Sequence, residues 1–208
     1  MNRMAVVWIA AALIALPIGA QVRYEDILEA PNENWLTFMG DYSANRHSPL
    51  KQINVSNADN LVPKWVYHVP EAASLSTYPI VYDGIMYITN SNEVHALDAV
   101  TGRTIWVYSR PDVELRRKNR GAAILGNRVY FVTADCHLVA VHRLTGAAIF
   151  DEPYADTKDG YFCTMAPVAI KDRLIVGVSG GDSGIRGFLA ALSAETGEQL
   201  WKLWTIPG

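Results

Sequence analysis

Residues 96–106 read ALDAVTGRTIW, residues 140–150 read AVHRLTGAAIF, and residues 191–201 read ALSAETGEQLW. Each segment starts with an apolar pair, passes through a polar turn that ends in Thr-Gly, and finishes on alternating residues closed by a large aromatic. The turn glycines are Gly102, Gly146 and Gly197, so the repeat recurs at intervals of 44 and 51 residues. Glycine supplies the positive φ angle that a tight turn needs. The chain is therefore built from a repeated unit.

Short alternating apolar runs fill the sequence around each of these turns, four to a repeat, as in PIVY, IMYITN, VHALD and TIWVY around the first. Turn pairs separate the first two runs of each repeat: Asp83-Gly84, Gly126-Asn127 and Lys171-Asp172. Four strands in about 40–50 residues are typical of a propeller blade. The sequence predicts an all-β fold, a β-propeller of four-stranded antiparallel blades, with blades at about 76–108, 120–152 and 164–205. The aromatics Trp106, Phe150 and Trp201 should pack against the neighbouring blade.

Residues 61–69, LVPKWVYHV, resemble the last strand of a blade with its aromatic, Trp65, but no three strands precede them. A closed propeller is often sealed by one blade made from both chain ends, and even the smallest ring has about four blades. We therefore expect three blades and an orphan strand of a larger ring, with the remaining blades supplied by sequence beyond Gly208.

The 208 residues are half apolar and carry a net charge of −3. No basic stripe indicates a nucleic-acid partner, and the short cluster at 116–120 is interpreted as a solvated turn. Residues 1–20 combine a positive start, an apolar run and small residues before Gln21, which predicts a signal peptide cleaved after Ala20 and export to the periplasm. An uncleaved membrane anchor is the alternative.

Two cysteines remain in the exported part, Cys136 and Cys163. An oxidising compartment permits a disulfide between them, and two buried free thiols on neighbouring strands are the alternative. Neither cysteine has a His or Cys at the spacing of a zinc site, and no Cys-x-x-Cys-His haem motif occurs.

The segment 35–65, WLTFMGDYSANRHSPLKQINVSNADNLVPKW, resembles the N-terminal signature of the quinoprotein alcohol and methanol dehydrogenases. The resemblance continues through all three repeats. It implies an eight-bladed propeller that holds pyrroloquinoline quinone (PQQ) and a metal ion, usually Ca²⁺ and sometimes a lanthanide, near its axis. It further implies oxidation of a small alcohol by hydride transfer to the quinone, and an electron acceptor such as a cytochrome c.

The resemblance carries four site residues over to this chain. Arg120, in Asn-Arg-Gly, matches an arginine that contacts the quinone, which is sensible beside a tricarboxylate. Thr164 in YFCTMAP and Ser179 in VGVSGGDSGIRG match residues that hydrogen-bond the cofactor. Asp182, in the same loop as Ser179, is the metal candidate, although the family has the longer glutamate there. The alternatives are a surface arginine and ordinary strand or turn residues.

Other positions depart from the family pattern. Glu114 and Leu115 replace an adjacent cysteine pair, and Ser76 replaces a glutamate that touches the cofactor. No catalytic residue can be assigned here, because the proton-abstracting aspartate of the family comes from later blades. A non-catalytic propeller serving as an interaction scaffold is the competing hypothesis. It has no need for Asn-Arg-Gly, Thr164 or an acid at 182, so we favour the enzyme family.

Overall fold

The computed structural model describes residues 21–29, 33–70, 72, 75–111, 113 and 117–207. The predicted signal peptide, residues 1–20, lies outside them, as do Glu114 and Leu115. The described chain opens with a short helix, α1 (Tyr24–Leu28), which the sequence did not predict. Its first turn is capped because the amide of Arg23 donates to the carboxylate of Asp26 (2.8 Å). Within the described residues, every helix is too short or too polar to cross a bilayer.

The strands of the described chain form three separate four-stranded sheets, and each strand pairs antiparallel with the next one in sequence. Sheet one contains β1 (Ile80–Tyr82), β2 (Ile85–Asn90), β3 (Glu93–Asp98) and β4 (Thr104–Ser109). Sheet two contains β5 (Ala123–Leu125), β6 (Arg128–Val132), β7 (His137–His142) and β8 (Ala148–Pro153). Sheet three contains β9 (Val168–Ile170), β10 (Arg173–Gly177), β11 (Phe188–Ser193) and β12 (Gln199–Trp204). The predicted four-stranded antiparallel blades are confirmed.

The tight turns have the backbone that the sequence indicates. Asp83 and Gly84 both have positive φ angles, 51° and 72°, as a two-residue hairpin turn requires. The three Thr-Gly turns place their glycines at φ 71° to 79°. The middle strands of each sheet are buried on both faces, because the sheets stack and one apolar core runs through all three of them.

Two of the three closing aromatics, Trp106 and Phe150, pack their sheet against the next one, whereas Trp201 of the third sheet is exposed. The ring of Trp106 in β4 lies against the turn at Gly146 in the second sheet, and its Nε1 donates to the carbonyl of Arg143 (3.0 Å). Phe150 in β8 lies against Gly197 of the third sheet in the same way. In both cases an aromatic in the last strand of one blade packs against the Thr-Gly turn of the following blade.

Trp65 makes the same contact although it lies outside any sheet. Its ring covers Gly102 and its Nε1 donates to the carbonyl of Ala99 (3.3 Å). Residues 61–69, predicted as an orphan last strand, pair with no other strand among the described residues. An outer strand needs the third strand of its own sheet as a partner, and none lies beside this segment among the described residues. The segment therefore makes the aromatic contact that is typical of a last strand, without pairing in a sheet.

A charged cluster on the first two sheets adds to their contact. Arg110, just after β4, pairs with Asp135 (2.8 Å) and Asp151 (2.6 Å) of the second sheet. Asp151 also accepts from Nδ1 of His137 (2.6 Å). These charge-assisted hydrogen bonds link the first two sheets.

Candidate functional site

The loops that carry the predicted site residues meet at one end of the stacked sheets. In an antiparallel sheet the start of the first strand lies beside the end of the second, so the loop that enters a blade and the loop after its second strand share one end. Arg120 and Thr164 lie in entering loops, ahead of β5 and β9, and Ser179 follows β10. We call this end the site end. The Thr-Gly turns lie at the opposite end.

Three of the four predicted residues are brought together there. Nη1 of Arg120 donates to Oγ1 of Thr164, and Oγ1 of Thr164 lies 3.3 Å from Oγ of Ser179. Arg120 is exposed, whereas the two hydroxyl residues are half-buried. The result is a continuous row of one guanidinium and two hydroxyl groups that spans the second and third sheets. Such a row offers hydrogen-bond donors to an anion at the rim.

The backbone holds these loops in place through one repeated contact. The amide of Tyr78, entering the first sheet, donates to the carbonyl of Arg120 (3.2 Å), and the amide of Arg120 donates to the carbonyl of Thr164 (3.0 Å). Tyr78, Arg120 and Thr164 therefore occupy equivalent places in successive blades. Tyr78 is a neighbour of the site that the sequence reasoning missed, although the repeat spacing could have pointed to it.

Asn119 and Gly121 explain why Arg120 sits in this tripeptide. The buried amide of Asn119 accepts from Oγ1 of Thr89 (2.7 Å) and from the amide of Gly121 (2.8 Å). It also donates to the carbonyl of Val132 (2.7 Å). Gly121 has φ 132°, and a Cβ there would lie 3.0 Å from the carbonyl oxygen of Tyr78. The hydrogen bonds of the buried Asn119 and the close contact of Gly121 with the backbone of Tyr78 thus fix the position of Arg120, which lies between these two residues.

Ser179 is held by the strand-like segment that contains Thr164. The amide of Phe162 donates to Ser179 (3.2 Å), and the amide of Ser179 donates back (2.8 Å). Arg117, which the sequence reasoning placed in a solvated turn, is exposed but lies over the ring of Phe162 at 4.8 Å. A second cation thus lies over Phe162, whose backbone pairs with Ser179.

Cys136 and Cys163 are joined in a disulfide. Of the two alternatives left open by the sequence, the structure therefore shows the bridged pair. Both residues are buried, and Cys163 directly precedes Thr164 in the chain.

Asp182 stands apart from the hydrogen-bonded row. It is exposed, in a 3-10 turn (Gly181–Ser183) that starts two residues after Ser179. Within the described residues, no group of three His, Cys, Asp or Glu side chains is placed to hold a metal ion. The chain therefore offers one carboxylate on a glycine-rich loop, whereas a bound Ca²⁺ takes about 6–8 oxygen ligands.

Ser76, where the family pattern has a glutamate, is half-buried. Its neighbour Thr77 shares a hydrogen bond between hydroxyl groups with Thr89 (2.9 Å), and Thr89 in turn donates to Asn119. The first blade thus contributes hydroxyl groups rather than a carboxylate on this side of the site.

A cavity of about 230 Å³ lies between the N-terminal segment and the inner strands β5 and β9. Its walls are mainly apolar, with Ile27, Leu36 and Ile124 among them. An apolar chamber does not suit an anion that needs hydrogen-bond donors. The row of polar groups at the site end is therefore the better candidate site.

The sequence profile of the glucose/ethanol/alcohol dehydrogenase β-propeller domain, a PQQ domain, matches residues 35–208. The chain belongs to this family. It is 36% identical to the quinoprotein alcohol dehydrogenase PedH of Pseudomonas putida over 96% of the chain and 35% of that protein. It is 37% identical to a 1-butanol dehydrogenase (quinone) of Thauera butanivorans over 98% of the chain and 36% of that protein.

Solved structures of family members share the fold. The quinohemoprotein alcohol dehydrogenase ADHIIG of Pseudomonas putida HK5 superposes with a TM-score of 0.79 at 35% identity, over 84% of this chain and 27% of that one. A europium-containing methanol dehydrogenase gives a TM-score of 0.78 at 28% identity, over 84% and 32%. The predicted β-propeller class is thereby confirmed. The chain spans about a third of the length of the curated relatives it matches.

Proposed function

We propose that this chain forms one wall of the PQQ site in an exported, metal-assisted alcohol dehydrogenase. The observation that carries the proposal is the row from Arg120 through Thr164 to Ser179, which three loops assemble at one end of the sheets. The relatives named above are alcohol dehydrogenases, so the scaffold hypothesis is not favoured.

The chemistry of this row fits a cofactor that carries several carboxylates. Arg120 provides a permanent positive charge, and the hydroxyls of Thr164 and Ser179 rotate to donate toward an oxygen acceptor. The backbone contact of Tyr78 and the side-chain contacts of Asn119 hold the row before any ligand arrives, which reduces the entropy lost on binding. When bound, the quinone would supply the oxidising power that removes hydride from an alcohol carbon, with a metal ion polarising its carbonyl.

We propose Asp182 as the carboxylate that this chain contributes to the metal. Its loop is rich in glycine and exposed, so the short side chain can be compensated by movement of the backbone. The remaining ligands and the base that accepts the alcohol proton would come from polypeptide and cofactor outside the described residues. Ca²⁺ and a lanthanide are both hard cations that such oxygen ligands suit.

Export to the periplasm is part of the proposal. It is supported by the pattern of residues 1–20 and by the disulfide of Cys136 and Cys163, since disulfides persist in oxidising compartments. A small alcohol as substrate and an acceptor such as a cytochrome c follow from the family resemblance. We expect the chain by itself to show no alcohol-dependent dye reduction with PQQ and Ca²⁺, because one wall does not complete the site.

Equilibrium dialysis of PQQ against the purified chain tests the site. We expect weak but saturable binding. Loss of a charge-assisted hydrogen bond costs about 1.5–3 kcal/mol, so Arg120→Gln should raise the Kd about ten- to a hundredfold. Thr164→Val should raise it by a smaller factor, because a neutral donor is lost.

Arg103→Gln is the matched control, since it removes the same charge from an exposed residue near the Thr-Gly turn at the opposite end. Its Kd should stay within about twofold of the unmodified chain, because exposed charges farther away than a Debye length are screened. Equal affinity of the Arg120 and Arg103 variants, or no saturable binding at millimolar PQQ, would refute this assignment.

A further inference from the structure

The disulfide between Cys136 and Cys163 connects two loops at the site end. Cys136 lies in the turn between β6 and β7 of the second sheet, and Cys163 lies in the segment that enters the third sheet. The relative exposures of the two residues are 0% and 2%, so the bond is part of the interior. It is a covalent link between adjacent blades on the side where the candidate cofactor row is found.

Three consecutive residues around this link are each fixed to a different element. Phe162 pairs through its backbone with Ser179 after β10, and Thr164 accepts through its carbonyl from Arg120 ahead of β5. Between them, Cys163 donates its amide to the carbonyl of Ala134 (3.1 Å) in addition to the disulfide. We call Phe162–Thr164 the anchor segment.

The surroundings of the disulfide reach Ser179 from the other side as well. Sγ of Cys163 lies 3.7 Å from the carbonyl oxygen of Gly177, the last residue of β10. Tyr154 donates its hydroxyl to the same oxygen (3.2 Å) and its amide to the carbonyl of Cys136 (3.0 Å). The disulfide therefore occupies the middle of a buried cluster that touches both loops carrying the two hydroxyl groups.

We propose that the Cys136–Cys163 disulfide is a positioning device for the cofactor row, which holds Thr164 against Arg120 and Ser179. The inference rests on the proposed role of that row. Backbone hydrogen bonds alone can open and exchange with water, whereas the covalent link limits how far the anchor segment moves when they do. A ligand that binds a pre-arranged row loses less conformational entropy than one that must order it.

A disulfide that merely stabilises the fold would behave differently. Its loss would lower the free energy of unfolding and accelerate opening throughout the cooperative structure. A positioning role predicts a local effect on the anchor segment and a loss of PQQ affinity that a variant destabilised elsewhere in the fold does not show.

The test compares Cys136→Ala/Cys163→Ala with Val94→Ala, a control that truncates a fully buried side chain in the first sheet and leaves the disulfide intact. Amide hydrogen exchange by mass spectrometry is measured on peptides covering 160–166, 177–181 and 85–98. In the double variant we expect exchange in the first two peptides to accelerate about tenfold more than in the third, whose rate reports the overall loss of stability. The Kd for PQQ should rise about tenfold, the size expected when a few site side chains must be ordered on binding. The control should leave both the exchange at 160–166 and the Kd unchanged.

A second measurement needs no refolding of a variant. A dithiol reductant transfers two electrons and two protons to the folded protein, which converts the disulfide to two thiols while the dithiol closes to its own cyclic disulfide. The same local increase in exchange at 160–166 should follow the release of the two thiols. Uniform acceleration in all three peptides, or none in the anchor segment, overturns the proposal. If the unmodified chain binds no PQQ, the proposed function fails, and the exchange data still decide whether the disulfide positions the row.

Discussion

Gly146→Ala tests whether packing of the closing aromatic of one blade on the Thr-Gly turn of the next contributes to stability. Gly146 has φ 71°, and a Cβ built there would lie 2.7 Å from Cε3 of Trp106. Gly84 is a matched control, because it has φ 72° and a Cβ there would meet no atom within 4 Å. The two positions share the same backbone cost and differ only in the neighbouring blade.

The expected magnitudes follow from these contacts. An L-residue in the left-handed region costs about 1–2 kcal/mol, and the lower entropy of the unfolded alanine chain offsets about 0.4–1 kcal/mol of that. Gly84→Ala should therefore lower the free energy of unfolding by about 1 kcal/mol. Gly146→Ala should add the cost of overfilling a packed contact, about 1–3 kcal/mol, since the indole ring must move off the turn.

Urea unfolding followed by tryptophan fluorescence and circular dichroism measures both variants. The Trp106→Ala background completes the cycle, because it removes the ring that Gly146→Ala displaces. In that background Gly146→Ala should cost only about 1 kcal/mol, the same as Gly84→Ala. Equal costs for Gly146→Ala and Gly84→Ala in the unmodified chain would refute the reasoning, as would an undiminished cost in the Trp106→Ala background.

Three further predictions concern stability. The Cys136–Cys163 disulfide spans 27 residues of sequence, so its removal should lower the free energy of unfolding by about 3.5 kcal/mol in a urea titration; a loss below about 1 kcal/mol would mean that native strain cancels the chain-entropy effect. Burial lowers the pKa of His95 from its ordinary value of 6.5, against the opposing pull of Glu93. The unfolded chain therefore binds the proton more readily, and the free energy of unfolding should fall as the pH decreases through 6.5. That slope should flatten in His95→Gln, measured by urea titrations at several pH values. A double-mutant cycle on Arg110 and Asp151, with alanine at each, should give a coupling energy of about 1 kcal/mol that declines in high salt.

The strands could be predicted from the sequence because their signals are local. Alternation of apolar residues, the turn pairs and the Thr-Gly cadence each act over a few residues, and the blades repeat the signal three times. The segment at 61–69 was predicted as a strand on the same local grounds. It is unpaired among the described residues, since strand formation also needs a partner, and pairing is a property of the sheet rather than of the segment.

Other features lay beyond local patterns. Each third strand has a register shift before its turn, between Ala96 and Leu97 in the first sheet, and at the equivalent places in the other two. A bulge of this kind leaves little trace in apolar alternation. Whether Cys136 and Cys163 are bridged or free could not be decided from the sequence, since the bond depends on how two blades face each other.

The candidate site depends both on local sequence motifs and on contacts between blades. Arg120, Thr164 and Ser179 could be picked out from their motifs, but their hydrogen-bonded order could not, because it arises from the placement of one blade beside another. Asp182 was also predicted from a motif, and its role as a metal ligand stays a prediction. Ser76 and Tyr78 gain meaning only once the entering loops are seen to converge.

The repeat itself explains why a site forms at this end. Each step from one blade to the next is made by a backbone hydrogen bond between equivalent positions of the entering loops, from Tyr78 to Arg120 and from Arg120 to Thr164. These bonds need no particular side chain, so the residue at each position is free to differ. At the opposite end the aromatic contact requires a glycine, as at Gly146, and leaves little freedom. The fold is therefore secured mainly by the turns at one end, while side chains at the other end can be selected for a ligand. Substitutions at the two ends should therefore have different effects. Those at the glycine turns should change the free energy of unfolding, and those at the entering loops should change the affinity for the cofactor.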